Sequence, residues 1–212
     1  MARAGDVLHN PVTGERAVVR LGADDTGGAY TCCDLWVVPG GAVASEHLHP
    51  SMRERFTVLE GELTVLLDGE ETVATAGTVV EVLPGTRHDW RNPSDREAHV
   101  LVEVWPSRRF EQLIFTVFGL AQDGRVDAKG MPSPLQAAVL AAEFDDVIRF
   151  TARPRWLQRL AIAALAPLGR ARGLRASYAH HGPDATGAPH DEAPEAWRAL
   201  APTGDLAPHP VA

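Results

Sequence analysis

The stretch from Gly41 to Gly61 most restricts what this chain can fold into, because it holds two histidines and a glutamate at close spacing. His47 and His49 are two residues apart, so both imidazoles leave the same face of an extended strand and can bind one ion. After a proline break, Glu54 enters a second segment. We predict that this segment is an antiparallel neighbour of the first, which lets the carboxylate reach the histidine pair. The spacing therefore predicts a metal site.

A third imidazole lies further along, in the segment from Gly77 to Asn92. His88 follows a Pro84-Gly85 turn, at the start of a predicted strand that could close against the first. Three imidazoles and one carboxylate leave coordination positions open for water or substrate. Such a set suits Fe(II), Mn(II), Ni(II) or Zn(II), and ligand type alone does not choose among them.

These two stretches resemble the paired signatures of the cupin superfamily. Its first motif reads Gly, five residues, His, one, His, three or four, Glu, six, Gly; the second reads Gly, five, Pro, one, Gly, two, His, three, Asn. The matching anchors are Gly41, His47, His49, Glu54, Gly61, Gly77, Gly85, His88 and Asn92. Leu83 stands in place of the proline of the second motif, and a proline follows it. The resemblance covers about residues 29–105.

The resemblance implies a mainly β fold, a cupin double-stranded β-helix or jelly-roll barrel, followed by C-terminal α-helices. We expect a cupin barrel over residues 1–106, a helical extension over 107–171 that packs on the barrel or on a partner, and a disordered tail over 172–212. Cupin barrels commonly pair through exposed strands, so a homodimer is expected. The implied metal ligands are His47, His49, Glu54 and His88, and the resemblance also implies a catalytic role for Glu54, since this glutamate leaves the metal and acts as a base in some cupins.

Side-chain alternation along the strands predicts a largely apolar pocket around the ion. The candidate substrate-binding residues are Phe56, Val58, Arg87, Trp90 and Asn92. The first two share the face of Glu54, and the last two share the face of His88. Trp90 fits a substrate wall and an ordinary core position equally well. Arg87 could clamp an anionic substrate at the barrel mouth, or it could simply be solvated.

The charge of the chain is uneven. Residues 147–183 hold seven arginines and no acid, a local charge of +7 in a chain of formal net charge −8, so the remainder carries −15. An acidic barrel disfavours nucleic-acid binding, because phosphate contacts need a basic surface. The basic segment could lie on the acidic barrel, on a partner subunit or on an anionic membrane surface.

Composition predicts a cytoplasmic protein. The chain has 212 residues, 45% of them hydrophobic, and lacks an apolar run of about 18 residues or more, so no transmembrane helix is expected. No apolar stretch follows the positive charge at the start, which argues against a signal peptide. Cys32 and Cys33 are the two cysteines, and neighbours on a strand face opposite ways, so we predict that both are reduced.

Hydrophobic periodicity gives a coarse map of the elements. Predicted strands are Ala17–Gly22, Tyr30–Val38, Val43–His49, Glu54–Leu59, Leu63–Leu67, Glu71–Ala74, Thr78–Leu83, His88–Asn92 and Glu97–Trp105. Predicted helices are Arg108–Ala121, Pro134–Phe150 and Pro154–Leu168, with Pro167 ending the last. Four tail histidines are expected to be solvated rather than ligands: His180, His181, His190 and His209.

The predicted site favours a metal-dependent enzyme that acts on a small substrate. A divalent ion beside one carboxylate keeps about one net positive charge, which favours an anionic or enolisable substrate. Dioxygenase chemistry is slightly favoured over non-redox isomerase, cyclase or lyase chemistry. A cupin module that binds a small molecule without turnover is the alternative. A phosphate-binding loop and a nucleophile elbow are both missing, so nucleotide hydrolysis and serine-type acyl transfer are poor candidates.

Overall fold

The computed structural model describes residues 2–43, 45–107 and 109–182, and this part of the chain contains eleven strands and four helices. The strands are β1 (Val7–His9), β2 (Arg16–Leu21), β3 (Thr31–Val37), β4 (His47–Leu48), β5 (Arg53–Glu60), β6 (Glu62–Leu67), β7 (Glu70–Thr75), β8 (Val79–Val82), β9 (His88–Arg91), β10 (Ala98–Trp105) and β11 (Arg149–Phe150). The helices are α1 (Ala23–Thr26), α2 (Phe110–Gln122), α3 (Pro134–Glu143) and α4 (Arg155–Ala171).

The strands form two antiparallel sheets. One has the order β1-β2-β3-β10-β5-β8 and the other β11-β4-β9-β6-β7. Burial alternates along β5, so that Glu54, Phe56 and Val58 face inward, and the valines at 100, 102 and 104 of β10 join the same core. The predicted mainly β jelly-roll barrel followed by C-terminal helices is confirmed.

Gly61 makes the tight turn between β5 and β6, which belong to different sheets. Its φ is +73°, and a Cβ atom there would lie 2.8 Å from the backbone oxygen of Glu97. Gly69, in the β6–β7 turn, has φ +93° and open space where its Cβ would be. The two glycines therefore share a left-handed backbone and differ in crowding.

Gly61→Ala should consequently cost more stability than Gly69→Ala. We expect the free energy of unfolding to fall by about 2–3 kcal/mol for the first and by about 1 kcal/mol for the second. Chemical denaturation of both variants measures the difference. Equal losses would mean that the approach of the Glu97 carbonyl does not matter.

Three sequence-predicted elements differ from the structure. Residues 43–49 were expected to be one strand, but β4 spans only two residues. Before β4, the chain makes only isolated backbone hydrogen bonds to the end of β9, from Val43 N to Trp90 O and from Asn92 N to Gly41 O, and these do not form a continuous strand. The second predicted helix ends at Glu143, and its remainder becomes a turn and β11. Pro167 lies inside α4 rather than at its end. The carbonyl of Ala163, which loses its helical partner there, belongs to an exposed residue and can bond water.

The C-terminal extension docks on its own barrel. Strand β11 pairs antiparallel with β4, with Arg149 opposite Leu48 and Phe150 opposite His47, and it thereby covers an edge of the second sheet. The extension therefore belongs to the same packed unit as the barrel.

Part of the predicted tail is also packed. The Thr116 hydroxyl of α2 donates to the carbonyl of Ala176 at 3.1 Å, and the Gln136 amide of α3 donates to the carbonyl of Arg175 at 2.8 Å. Residues 172–182 thus lie against α2 and α3. The packed part of the chain therefore continues beyond residue 171, where the helical extension was predicted to end. Residues 183–212, with His190 and His209, lie outside the described part of the chain.

Helix α4 carries three of the seven arginines of the basic segment and packs on the chain's own α3 through Ala138, Val139 and Ala166. Its outer face leaves Trp156 65% exposed and Leu160 61% exposed. None of the described helices is both long enough and apolar enough to cross a membrane. Both cysteines are free, as predicted.

Candidate metal centre

Three imidazoles and one carboxylate converge between the two sheets. His47 lies directly opposite His88 in the β4–β9 pair, as predicted, and His49 follows β4. Glu54 approaches from the other sheet, because β5 pairs with β10 and β8. The prediction that its strand neighbours that of the histidines is wrong. The site is therefore built across the barrel interior.

The four groups lie at the separations expected of ligands around one ion. Their candidate ligand atoms all lie within 4.8 Å of one another, and all four residues are buried. Glu54 Oε2 lies 3.1 Å from His88 Nε2 and 3.4 Å from His49 Nε2. Burial of this many polar groups in one place is costly unless something satisfies them.

Backbone carbonyls fix the orientation of each imidazole. The Nδ1–H of His47 donates to Ser45 O at 2.9 Å, and that of His88 donates to Thr86 O at 3.2 Å. The Nδ1–H of His49 donates to Val147 O at 2.7 Å, a carbonyl of the C-terminal extension. Because a neutral imidazole carries one N–H, these bonds leave each Nε2 with a free lone pair, as metal ligation requires.

The atoms at the centre of the site lack hydrogen-bond partners. His49 Nε2, His88 Nε2 and Glu54 Oε2 are all buried and unpaired. A buried polar atom without a partner costs about 1–3 kcal/mol, and the cost is higher for charged groups. A cation at their meeting point would satisfy all three. The donor set thus fits a divalent transition metal, and its N₃O composition is compatible with several.

The pKa values of the metal-free site differ among the ligands. Burial lowers the pKa of His47 to about 4, helped by the neighbouring imidazoles of His88 and His49. Burial alone would raise the pKa of Glu54, but the adjacent imidazoles of His49 and His88 outweigh it and lower that pKa, because a proton on either ring would pair with the carboxylate. Burial opposes protonation of His88, yet the Glu54 carboxylate raises the pKa of this imidazole above its ordinary value. Glu54 is therefore ionised at neutral pH.

Two aromatic side chains of the C-terminal extension stand against the imidazoles. The Phe150 ring of β11 meets His47 edge-on at 6.3 Å between ring centroids, and the Phe110 ring of α2 meets His49 edge-on at 6.1 Å. Neither phenylalanine was predicted from the sequence to contact the site, and Val147 was not predicted either. The motif spacing reaches only the barrel strands, and no local signal ties Phe110 or Phe150 to the histidines.

The predicted pocket residues lie in different environments. Phe56 and Val58 are core residues next to Glu54 on β5, each at most 1% exposed, and Trp90 on β9 is 7% exposed. The Arg87 side chain is half exposed and lies 3.4 Å from Asp68 at the surface.

Asn92 has a structural set of hydrogen bonds. Its buried amide donates to the carbonyls of Val37, Val38 and Arg96, and its oxygen accepts from the backbone and hydroxyl of Ser94. These bonds use the hydrogen-bonding capacity of the side chain. We therefore leave Asn92 out of the proposed pocket.

The sequence and the fold agree with a known family. The family described as "Cupin domain" matches residues 34–104, which include all four converging residues. The match identifies a cupin domain within residues 34–104 of the chain. The cupin domain thus contributes the four converging side chains from strands of both sheets, and the extension after it contributes Val147 O and the two phenylalanines.

Comparison with curated proteins finds a relative that is similar over part of its length. The chain is 36% identical over 72 residues to "Polyketide synthase CurC" of Streptomyces cyaneus, an alignment that covers 34% of this chain and 47% of the relative. The chain therefore spans about half the length of the curated relative it matches.

Comparison with solved structures finds partial similarities to other proteins. A sugar phosphate isomerase of Silicibacter pomeroyi has a TM-score of 0.40 at 23% identity, over 44% of this chain and 60% of that chain. A predicted oxalate decarboxylase of Thermotoga maritima has a TM-score of 0.41 at 20% identity, over 43% of this chain and 79% of that chain.

Proposed function

We propose that this cupin is a mononuclear metal-dependent enzyme acting on a small anionic or enolisable substrate, and that it is a dioxygenase. The observation that carries the proposal is the set of buried, unpaired Nε2 and Oε2 atoms that point at one another while each Nδ1 is held by a carbonyl. The proposed ligands are His47, His49, Glu54 and His88. Non-redox isomerase, cyclase or lyase chemistry is the alternative reaction class.

The charge of the site supports the proposed substrate class. A bound divalent metal and the Glu54 carboxylate together would carry about one net positive charge. This charge favours a substrate that binds as an enolate, phenolate or carboxylate. Glu54 is also the proposed base, because it is ionised at neutral pH and its Oε2 accepts no hydrogen bond from the protein. Phe56, Val58 and Trp90 are proposed to shape the apolar interior.

The aromatic side of the site supports a planar, conjugated substrate. Phe150 and Phe110 come from two elements of the extension and flank different imidazoles. Aromatic faces and edges bind a flat conjugated molecule and exclude water from beside it. Arg87 is proposed as a more distant contact for an anionic group, by release of its pairing with Asp68.

The name of the curated relative suggests the first substrates to test. That protein is called a polyketide synthase. Polyketide chains carry alternating carbonyl groups, which enolise readily and cyclise to phenols, and both forms match the substrate class proposed from the charge of the site. We therefore propose polyketide-derived enols or phenols as the substrate class of this chain.

Oxygen uptake during turnover tests the proposed function. Protein loaded separately with Fe(II), Mn(II), Ni(II) or Zn(II) is mixed with acetylacetone or a polyhydroxynaphthalene, while an oxygen electrode and mass spectrometry follow the reaction. We expect oxygen uptake with both oxygen atoms found in the product. Product without oxygen uptake would support the isomerase, cyclase or lyase alternative. Tight binding that survives metal removal, with no product, would make the protein a binding module.

Phe150→Ala should weaken substrate binding without loss of metal. An aromatic contact contributes about 0.5–1.5 kcal/mol beyond its buried area, so we expect KM for the polyhydroxynaphthalene to rise by about threefold to tenfold. Metal content and KM for the small acetylacetone should change little. Leu160→Ala, which removes an exposed apolar side chain of α4, is the matched control. Equal KM values for Phe150→Ala and the unsubstituted protein would remove Phe150 from the proposed pocket.

A cytoplasmic homodimer stays our expectation for the assembly and location of the protein. Pairing would use exposed strand edges of the barrel, and β11 already covers the edge beside β4.

A further inference from the structure

We infer a second divalent-metal site at the C-terminal end of α2, formed by Asp123, His180 and His181. The three residues form a group separate from the barrel site, and their candidate ligand atoms lie within 4.8 Å of one another. Two nitrogens and one carboxylate oxygen are the donor types of Zn²⁺ and its neighbours Co²⁺, Ni²⁺ and Cu²⁺. Three protein ligands leave room for water to complete the coordination.

Both imidazoles are aimed at the same carboxylate oxygen. His180 Nε2 and His181 Nε2 each lie 3.0 Å from Asp123 Oδ2. Adjacent residues in an extended chain point their side chains in opposite directions, so the turn at Tyr178 to His181 is needed to bring the two rings to one side. The prediction that His181 is solvated is wrong, since its side chain is 2% exposed, whereas that of His180 is 61% exposed.

The helix makes space for the His181 ring. A Cβ atom on Gly119, in the last turn of α2, would lie 2.3 Å from His181 Cγ. Glycine within a helix costs about 1 kcal/mol of stability relative to alanine. At Gly119 this cost comes with space for the His181 imidazole, which occupies the place where a Cβ atom would lie. The Tyr178 ring contacts both histidine rings, with ring centroids 4.9 Å apart for His181 and 5.7 Å apart for His180. The ligands are thus held in position before any ion arrives.

The local electrostatics favour a cation. Asp123 is the C-cap of α2, where the partial negative charge of the helix end attracts positive charge. The guanidinium of Arg125 lies over the Tyr178 ring and donates to the Tyr178 hydroxyl. Asp123 is partly exposed, so an ion can enter from solvent. A bound ion would join residues 172–182 to α2, the helix that also carries Phe110.

Zinc stoichiometry tests the second site. The full chain is titrated with Zn²⁺ alone and the bound metal is counted by native mass spectrometry. We expect two zinc ions per chain in the unsubstituted protein and one in Asp123→Ala, in His180→Ala and in Gly119→Ala, which would displace His181 without removing a ligand. His9→Ala, which removes an exposed histidine near α2, should keep two.

Resistance of the chain to trypsin is a second readout. Zinc at this site should slow trypsin cleavage after Arg172 and Arg175 in the unsubstituted protein and not in His180→Ala. Two zinc ions in all variants would show adventitious binding and overturn the inference, as would one ion that His49→Ala loses and Asp123→Ala keeps. One ion kept by His49→Ala and lost by Asp123→Ala would support this site while contradicting the proposed barrel site.

Discussion

Glu54→Gln is expected to lower metal affinity of the barrel site by more than about 100-fold. Substitutions outside a metal's own ligand set already cost 10–100-fold, and this change removes the one anionic ligand while keeping the shape of the side chain. The amide cannot offset the charge of a divalent ion. Competition with a chromogenic chelator measures the affinity, with the barrel site distinguished from the Asp123 group by combining the substitution with His180→Ala.

Glu103→Gln is the matched control for this experiment. Glu103 is also a buried carboxylate, on β10 beside β5, and it accepts from Tyr30 and Arg55 rather than facing the histidines. Its replacement should lower the free energy of unfolding, because Arg55 loses its charged partner, and should leave metal affinity unchanged. If Glu54→Gln binds metal as tightly as Glu103→Gln, Glu54 is not a ligand.

Metal affinity is expected to fall about tenfold per pH unit as the pH drops below the His88 pKa. An ion can bind only when each Nε2 is free of a proton, and the pKa of His88 lies above the ordinary 6.5 in the metal-free site. The pKa of His47 is about 4, so this imidazole stays available over the same range. Chelator competition between pH 5 and 8 measures the slope.

Near neutrality, the free energy of unfolding of the metal-free protein should depend on pH much less steeply than metal affinity does. The reason is that His88 and His47 have opposite effects on stability. The raised pKa of His88 contributes stability below pH 6.5 that is lost as pH rises through its folded value. The pKa of His47, lowered to about 4, contributes stability above 6.5 that is lost as the pH falls toward 4. The lowered pKa of Glu54 adds stability above about pH 4.5, which disappears only in stronger acid.

The chelator competition gives the outcome that would contradict this account. A metal affinity that stays constant from pH 8 to 5 would contradict a site of histidine ligands.

The convergence of the four side chains could be predicted from the sequence, because three of them lie within eight residues of one another. His47 lies in β4 and His49 directly follows it, Glu54 comes after one short turn, and His88 belongs to the strand that pairs with β4, so spacing along the chain nearly determines their meeting. The sheet that carries Glu54 was harder to predict. Whether a strand turns back beside its predecessor or crosses to the facing sheet depends on pairing with β10, more than forty residues away.

The contribution of the extension could not be read from the sequence. The bond from His49 Nδ1 to Val147 O spans 98 residues, and the donor's partner is a backbone atom, which carries no residue-type signal. Strand β11 has two residues, and its sequence continues the apolar pattern of the helix before it, so periodicity predicted one longer helix. The same reasoning applies to His181, whose burial depends on Gly119 in a distant helix.

Metal content of the protein purified without chelator, beside that of His49→Ala, tests the central claim most directly. Plasma mass spectrometry on untagged protein counts iron, manganese, nickel and zinc, and the Asp123→Ala background removes the second proposed site. We expect about one of these metals per chain in that background and a nearly complete loss when His49→Ala is added. Equal metal content with and without His49, or little metal in both despite supplementation, would contradict a metal centre in the barrel.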